Sequence, residues 1–447
     1  MEEDSKQKKT TLSFNKERPI RRLKTSFAHP TADKDIFEYW KDYIGLWESE
    51  SYSILIVPRK RRIINEEDFS SISAFIIDDK EDDQVLWFPE TNKENKKGLY
   101  FYIESRKIKT KPAWLRINDD KLILRISKTD EAIEFQRSLQ HINYSLLSKI
   151  CIIGKGGLSI NNRLENSNDA FVYAWAFGAS GVEADISIAT DDTGDEEKEY
   201  LMISSEDKLS SNAAKSDAVD FTDFISSLAV DYHLQNIYFD IRSFRYEAKD
   251  KQRELIERLF SDIHSKLDSD LDINLYVNGY DDDVADNIFN SRFFESALKE
   301  YQLEDRVSWI AEWSEERPRF YLRNLKRKLA SGKRVILDAI GRNNYIPPSA
   351  IAINISGIEG INLNFWKRLT RTFNKNFSAE LLTDIRQDII FYTIESKYEN
   401  VNLLIELLRD IDYFNFNEKV LGIKANEPHH LVKYLAFNSV KIIQNYD

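Results

Sequence analysis

Short runs of β-branched and aromatic residues, separated by polar turns, fill the chain from residue 51 to residue 127. Runs of this length and composition are typical of strands that lie half-buried in a sheet. The pattern predicts a small antiparallel sheet or barrel. Its strands are "SYSILIVP" (51–58), "SAFIID" (73–78), "QVLWFP" (84–89), "GLYFYIES" (98–105), "PAWLRI" (112–117) and "KLILRIS" (121–127).

Two segments that flank these runs have the spacing of helices. In residues 33–50 the large apolar residues recur at helical steps, which places them on one face: Ile36, Tyr39, Trp40, Tyr43, Ile44 and Trp47. Residues 129–149 are predicted to form a second helix, and Thr129 is its expected N-cap.

The order and spacing of the predicted elements change at residue 170. Three strands are predicted first, at 170–177, 182–190 and 199–205, and a helix follows over 217–234. Strands then alternate with helical runs at intervals of roughly 30 residues, which is the spacing of β–α–β units in a parallel sheet. These later strands are predicted at 236–244, 273–280, 307–313, 335–341, 350–356 and 389–396.

The patterns together predict an α/β protein of mixed type. A small antiparallel β-rich domain is expected at the N-terminus, followed by a larger α/β domain with a mostly parallel sheet. From 170 to 280 the order strand–strand–strand–helix–strand–helix–strand is the order used by RNase H-like domains, a fold-level analogy only. A doubly wound Rossmann-type sheet and an incomplete barrel are the alternatives.

Changes in composition divide the chain into four segments. "GKGGLSINNRLENSND" (154–169) is polar, rich in glycine and without periodicity, so it marks the clearest internal boundary. The predicted organisation is a flexible basic tail at 1–32, a β-rich domain with flanking helices at 33–153, a linker at 154–169 and an α/β domain at 170–447, divisible near 345.

Composition narrows the class of protein. Hydrophobic residues make up 42% of the 447 residues, which is enough apolar material for cores and argues against global disorder. The single cysteine, Cys151, excludes an intrachain disulfide, and its apolar neighbours predict a buried thiol. No secretory h-region or long apolar window occurs, so we expect a cytoplasmic protein with no membrane partner.

Basic residues are clustered although the formal net charge is -12. Because salt confines the field of a surface charge to roughly 10 Å, an acidic protein can carry a basic surface. The clusters predict contacts with the phosphate backbone of a nucleic acid. The candidate residues are Arg59, Lys60, Arg61, Arg62, Arg319, Arg323, Lys326, Arg327, Lys328, Lys333, Arg334, Lys367, Arg368 and Arg371.

The densest of these clusters is "RPRFYLRNLKRKLASGKR" at 317–334, which contains no acidic residue. Pro318 suits the first turn of a helix, and Gly332 suits its end. Leu322, Leu325 and Leu329 share an apolar stripe, so the basic residues fall on the flanks and the outer face. The segment is predicted to be one amphipathic helix, apolar inward and basic outward.

Acidic residues follow several predicted parallel strands. The carboxyl ends of such strands converge at one edge of a sheet, where ligands bind. Carboxylate oxygens are preferred ligands of Mg²⁺ and Mn²⁺, and two such ions can support phosphoryl transfer. Because Asp and Asn are also common helix caps, an ordinary structural role is the alternative. The candidates are Asp240, Asp281, Asp283, Glu312 and Asp338.

The sequence matches the active-site patterns of known nucleases poorly. An RNase H-like site needs an acid on its first strand, yet residues 170–177 contain none, and Glu183 and Asp185 lie on the next strand. A PD-(D/E)xK site is matched only loosely, by Asp185 with Glu206 to Lys208. The Arg258–His264 spacing is a weak match to HEPN ribonucleases, and neither a Walker loop nor a G-x-S-x-G elbow is present.

We therefore expect first a nucleic-acid-associated subunit of a multi-protein complex, binding DNA or RNA together with a protein partner. Such a binding protein would need no cofactor. The first alternative is a nuclease or phosphotransferase that depends on Mg²⁺ or Mn²⁺. The second is a protein–protein scaffold whose basic surfaces meet an acidic partner.

Overall fold

The computed structural model places side chains and backbone over most of the first three fifths of the chain and over shorter segments beyond. It describes residues 34–62, 68–77, 84–89, 94–104, 107–128, 130–140, 142, 144, 147, 150–159, 165–191, 198–205, 208–209, 218–227, 236–241, 243–244, 247–267, 272–277, 292–304, 306–313, 350–354, 388–392 and 420–443.

The first eight strands form a closed antiparallel barrel, here called the small barrel. Each strand pairs with its neighbour in sequence, and the last pairs with the first through Trp47 and Arg137. Helix α1 (Lys34–Trp40) precedes it. The strands are β1 (Gly45–Glu48), β2 (Ser53–Arg62), β3 (Asp68–Ile77), β4 (Val85–Pro89), β5 (Lys96–Glu104), β6 (Lys107–Asn118), β7 (Lys121–Ile126) and β8 (Ile133–Arg137).

Alternation along these strands separates two cores. On β2, Ile54 and Ile56 point into the small barrel, where they pack with Trp40 of α1. Leu55 and Val57 point outward and join a second core that the small barrel shares with the rest of the chain. Successive side chains of a strand face opposite sides of a sheet, so a strand buried on both sides reads as a continuous apolar run.

The remaining strands form an eleven-stranded mixed sheet. They are β9 (Cys151–Gly154), β10 (Gly181–Asp191), β11 (Lys198–Ile203), β12 (Lys208–Leu209), β13 (Val219–Asp220), β14 (Asn236–Asp240), β15 (Asp272–Val277), β16 (Val307–Trp313), β17 (Ala350–Asn354), β18 (Asp388–Tyr392) and β19 (Val420–Ala425). The described helices are α2 (Asn168–Ala174), α3 (Phe221–Ser227), α4 (Lys249–Lys266), α5 (Arg292–Glu300) and α6 (Pro428–Ile443).

Eight of these strands pair in parallel, and the last strand of the series pairs with the first. The order runs from β10 through β14, β15, β16, β17, β18 and β19 to β9. Strand β9 pairs in parallel with β10 as well, and this ladder closes the circle. We call these eight strands the parallel ring. A closed ring of eight parallel strands is the strand arrangement of a (β/α)₈ barrel, in which the catalytic residues lie at the carboxyl ends.

The predicted fold class is therefore wrong, because the larger sheet is neither RNase H-like nor an open, mostly parallel sheet. Its parallel strands close into a ring, while β11 and β13 extend it with antiparallel pairing. The error has a local cause, since residues 170–177 are mostly helix α2 rather than a first strand. The Ser167 hydroxyl accepts a hydrogen bond from the Ala170 N–H and caps this helix.

The helix predicted at 129–149 is also wrong over its first part. Residues 133–137 form β8, which closes the small barrel between β7 and β1. Phe135 on this strand is completely buried in the barrel core, and its neighbours Glu134 and Gln136 are exposed. That alternation with period two, and not the helical spacing of more distant residues, decides the local structure.

The small barrel and the parallel ring share a hydrophobic core. It joins Phe101 and Val57 of the small barrel to Phe177 near α2, Ile423 of β19 and Leu435 of α6. Arg59 of β2 strengthens this contact, because its guanidinium donates hydrogen bonds to the carbonyls of Trp175 and, at 2.9 Å, Ala179. Burial of this guanidinium lowers the pKa of Arg59 to about 9, still above neutral pH.

Several sequence predictions cannot be compared with the fold. The basic tail at 1–32, the amphipathic helix within 317–334 and the strand at 335–341 lie outside the described residues. Within the portion that is described, no helix is both long and apolar enough to span a bilayer.

Candidate functional site

Three carboxylates meet inside the parallel ring. Glu183 and Asp185 lie on β10, and Asp240 is the last residue of β14. The ladder between the strands pairs Asp185 with Asp240, so both side chains lie on the same face of the sheet. Ala184 and Phe239 lie on the opposite face and pack against the surrounding helices. The carboxylates therefore face the interior of the ring, at the carboxyl end of β14.

The three acids, here called the acidic cluster, are close and enclosed. One carboxylate oxygen from each residue lies within 4.8 Å of the other two. Glu183 is 1% exposed and Asp240 is 2% exposed, while Asp185 is half-buried. Buried carboxylates so close together are unusual, because ionised side chains lose hydration when they leave water.

Lys424 supplies a positive charge to the acidic cluster. It lies on β19, is 5% exposed and forms an ion pair and hydrogen bond with Glu183 Oε2. Lysine is rarely buried without a partner, so the carboxylate explains why this side chain is tolerated in the ring. The contact joins β19 to β10 across the intervening strand β9.

Asn166 orients the Asp185 carboxylate. Its Nδ2 donates to Asp185 Oδ2 at 2.9 Å, and its Oδ1 accepts from the Asp185 N–H at 3.0 Å. Asn166 is buried and adopts φ 56°, a left-handed conformation that asparagine tolerates better than most residues. It lies in the loop between β9 and α2, within the segment predicted to be a linker.

The acidic cluster concentrates negative charge. Three carboxylates meet in it, and Lys424 forms an ion pair with one of them, Glu183. Two like charges about 4 Å apart repel by about 4 kcal/mol at an effective dielectric constant of about 20. Glu183 Oε1 is enclosed and accepts no hydrogen bond from the described part of the chain. A bound divalent cation would reduce the repulsion among the carboxylates and occupy this oxygen.

The donor atoms suit a hard cation. All three acids offer carboxylate oxygens, which Mg²⁺, Mn²⁺ and Ca²⁺ prefer over nitrogen or sulfur ligands. Asp185 is half-buried, so the cluster keeps some contact with solvent through this residue. Mg²⁺ is commonly held by one or two carboxylates together with substrate phosphates.

The structure describes only some of the residues of the predicted acidic site. Asp240 belongs to the acidic cluster, whereas Asp281, Asp283 and Asp338 lie outside the described residues. The backbone of Glu312 lies in β16, opposite Ala352 of β17, and its side chain is not described. The Asp185 of the loose PD-(D/E)xK match also belongs to the cluster. Of its expected partners, Glu206 is not described, and the backbone of Lys208 lies in β12, paired with Ile188 of β10.

The predicted nucleic-acid contacts fall into three groups. Arg59 is 3% exposed, and its guanidinium donates to the carbonyls of Trp175 and Ala179 within the fold. The backbones of Lys60, Arg61 and Arg62 lie in β2, and their side chains are not described. The others lie outside the described residues: Arg319, Arg323, Lys326, Arg327, Lys328, Lys333, Arg334, Lys367, Arg368 and Arg371.

Sequence reasoning missed Lys424 and Asn166 as members of the site. The signal for Lys424 was available, because a lysine inside the apolar run "VLGIKA" has no reason to be there unless it meets an acid. Asn166 carried no comparable signal, since polar residues are ordinary in a glycine-rich loop.

Two other weak candidates have structural explanations. Cys151 is buried, as predicted, and burial raises the pKa of its thiol to about 12, so it stays protonated and unreactive. Arg258 of the HEPN-like pair donates to the carbonyl of Glu199, while His264 is exposed further along α4.

Comparisons with known proteins identify no family for this chain. No protein-family model matches the chain, and no curated protein sequence matches it. Among solved structures, a dihydropteroate synthetase with its product is 10% identical over 71% of this chain and 98% of its own, with a TM-score of 0.32. A Haloferax volcanii malate synthase is 9% identical over 64% and 72%, with a TM-score of 0.36. Similarities of this size define neither a family nor an activity.

Proposed function

We propose that the chain is an enzyme that binds Mg²⁺ or Mn²⁺ at the acidic cluster and acts on a phosphate ester. The observation that carries this proposal is the meeting of Glu183, Asp185 and Asp240 within 4.8 Å inside the parallel ring. Sites of chemistry in closed parallel barrels lie at the carboxyl ends of the strands, which is where Asp240 is found.

The role of each residue follows from its contacts. Asp185 and Asp240 come from neighbouring strands and would hold the cation from two sides. Glu183 would offer Oε1 to the cation, while its other oxygen remains bound to Lys424. Lys424 thereby reduces the negative charge that a phosphate would otherwise meet. The chemistry that such a cation would supply, when bound by these residues, is polarisation of a phosphoryl oxygen and stabilisation of the charge that develops during transfer.

Cation binding is the first test. Isothermal titration of wild-type protein with Mn²⁺ and Mg²⁺, after treatment with EDTA, should show saturable binding. Asp240→Asn keeps the size of the side chain but removes a ligand charge. It should weaken binding by more than the roughly 10–100-fold that substitutions outside the ligand shell cause. Asp223→Asn, an exposed residue on α3, is the matched control and should bind as wild type does.

Turnover is the second test. Bis(4-nitrophenyl) phosphate and 4-nitrophenyl phosphate represent diesters and monoesters, and hydrolysis should require the cation and be lost in Asp240→Asn. If wild-type protein binds neither cation, the whole proposal is wrong. If it binds a cation but cleaves neither ester, the cation site stands and the phosphate-ester substrate is wrong.

The other functional expectations stay predictions. Neither the acidic cluster nor the comparisons bear on a nucleic-acid-associated subunit, a protein scaffold or a cytoplasmic location.

A further inference from the structure

The hairpin of β5 and β6 extends beyond the wall of the small barrel. Among the described residues, β4 pairs with β5 at residues 99–101 and β7 pairs with β6 at residues 113–118. The two strands of the hairpin continue to pair with each other as far as Glu104 and Lys107. Residues 102–104 and 107–111 therefore form a two-stranded projection, here called the β5–β6 arm, with no further partner strand among the described residues.

One face of this arm is anchored to the larger part of the molecule. Ile103 and Ile108 are paired across the arm and join the core shared by the small barrel and the parallel ring. At the base of the arm, the Phe101 ring lies 5.5 Å from the Tyr173 ring of α2. The arm is therefore held against α2, and its opposite face is fixed in orientation.

The opposite face carries a row of cations. Lys107, Lys109 and Lys111 alternate along β6 and are all exposed. Alternate residues of a strand lie about 6.8 Å apart on one face. The row lies opposite Glu104, Tyr102 and Tyr100 of β5, so the described arm presents three lysines and one acid.

Two aromatic rings adjoin this row. Tyr102, which is half-buried, stacks on Tyr100 with ring centroids 5.5 Å apart and an interplanar angle of 19°. Lys111 Nζ lies 5.0 Å from the centroid of the Tyr102 ring. The Tyr102 ring therefore lies on the same face of the arm as the lysine row.

We propose that the lysine face of the β5–β6 arm binds single-stranded nucleic acid. The phosphates of an extended strand contact Lys107, Lys109 and Lys111, and this contact supplies most of the affinity. On binding, Lys111 moves from the Tyr102 ring to a phosphate. A base then stacks on this ring, and such base–aromatic stacking tolerates any sequence. The pairing of a basic row with stacked tyrosines favours a nucleic acid over an acidic peptide.

Fluorescence anisotropy with labelled oligo(dT) and oligo(U) at several salt concentrations tests this proposal. The buffer contains EDTA, so the result does not depend on cation binding at the acidic cluster, and either proposal can fail alone. The variant is K107Q/K109Q/K111Q. The matched control, K97Q/K121Q/K299Q, removes the same charge from exposed positions elsewhere.

The arm variant should lose at least about tenfold in affinity. Its slope of log K against log salt should fall by about 2, because each lost phosphate contact on a single strand removes about 0.7. Tyr102→Leu should weaken binding with little change in the slope.

The proposal is overturned if wild-type protein binds neither oligonucleotide, or if the arm variant and the control bind alike. It is also overturned if polyglutamate binds through the same lysines while the oligonucleotides do not. Polyglutamate binding would assign the lysines to an acidic partner, whereas in the other cases they serve to discourage edge-to-edge association of an exposed hairpin.

Discussion

Asn166 holds both the backbone and the carboxylate of Asp185, and so it is a positioning residue for the acidic cluster. Residues that hydrogen-bond to metal ligands commonly tune cation affinity by 10–100-fold. The left-handed backbone of Asn166 limits the choice of substitutions, because a residue with a β-branched side chain would add strain there.

Asn166→Gly is therefore the informative variant. Glycine accepts φ 56° without strain but removes both side-chain hydrogen bonds. We expect Mn²⁺ affinity to fall by about 10–100-fold, measured by isothermal titration, with a folded far-ultraviolet circular dichroism spectrum. Asn118→Gly, at an exposed position in β6, is the control for loss of an asparagine side chain. Unchanged affinity in Asn166→Gly would show that Asp185 needs no support from the loop.

At this scale the sequence identified some members of the site but could not assemble it. The sequence predicts Asp240 at the end of a strand, and it places Glu183 and Asp185 on the strand after the one in which an RNase H-like site needs an acid. Their proximity depends on the ladder that pairs Asp185 with Asp240, which is a long-range property. The contact of Lys424 with Glu183 spans 241 positions, which periodicity alone cannot reveal.

At the scale of elements, Arg59 links strand β2 to the end of helix α2 and the turn that follows it. Its guanidinium donates to the carbonyl of Ala179, beyond the end of the helix, and to that of Trp175, which also accepts from the Gly178 N–H. Hydrogen bonds from a charged donor contribute about 1.5–3 kcal/mol, and an unsatisfied buried carbonyl costs about 1–3 kcal/mol.

Arg59→Ala should therefore lower the free energy of unfolding by about 3 kcal/mol or more. Urea denaturation followed by circular dichroism measures this change, and the loss should appear as a lower midpoint with a similar slope. Arg116→Ala removes an exposed arginine of β6 and should change the stability by less than about 0.5 kcal/mol. Equal stability of the two variants would mean that the Arg59 contact does not hold β2 to α2.

The elements that sequence reasoning placed correctly are those with a strong local pattern. Residues 112–117 and 121–127 were expected as strands and lie largely in β6 and β7, and β14 to β18 each begin within three residues of a predicted strand. Helix α2 was missed because "AFVYAWAF" is rich in residues that favour strands, and a serine cap just before it outweighed that preference.

At the scale of the molecule, one hydrophobic core serves two barrels. Phe177 illustrates this, since it is fully buried, lies 6.4 Å from the Phe101 ring of the small barrel and 5.3 Å from the His429 ring of α6. Neither barrel can lose this surface without exposing apolar side chains of the other.

We therefore expect both barrels to unfold together. Tryptophan fluorescence and circular dichroism should give coincident urea transitions in wild-type protein. Phe177→Ala should move the whole transition by about 3–5 kcal/mol, because it leaves a cavity in the shared core. Leu139→Ala, at a fully exposed position, is the control. Two separate transitions, only one of which moves in Phe177→Ala, would show that the barrels are independent.

The sequence does not predict that the parallel strands close into a ring. Alternating strands and helices predict parallel pairing but do not distinguish an open sheet from a closed one. The distinction rests on β9, a four-residue strand that was read as the end of the first domain and that pairs with both β10 and β19. So short an apolar run is not separable from a buried loop by pattern.

The position of Lys424 has a consequence for synthesis on the ribosome. Glu183, Asp185 and Asp240 emerge well before β19, so a nascent chain that has reached only residue 400 carries three acids and lacks the lysine that accompanies them. Such a chain also lacks the strand that seals β9 into the ring. Domains generally fold as units during translation, and here the unit is completed by one of the last segments to be made. The polypeptide thus acquires the Glu183–Lys424 ion pair and its closed wall in the same late step.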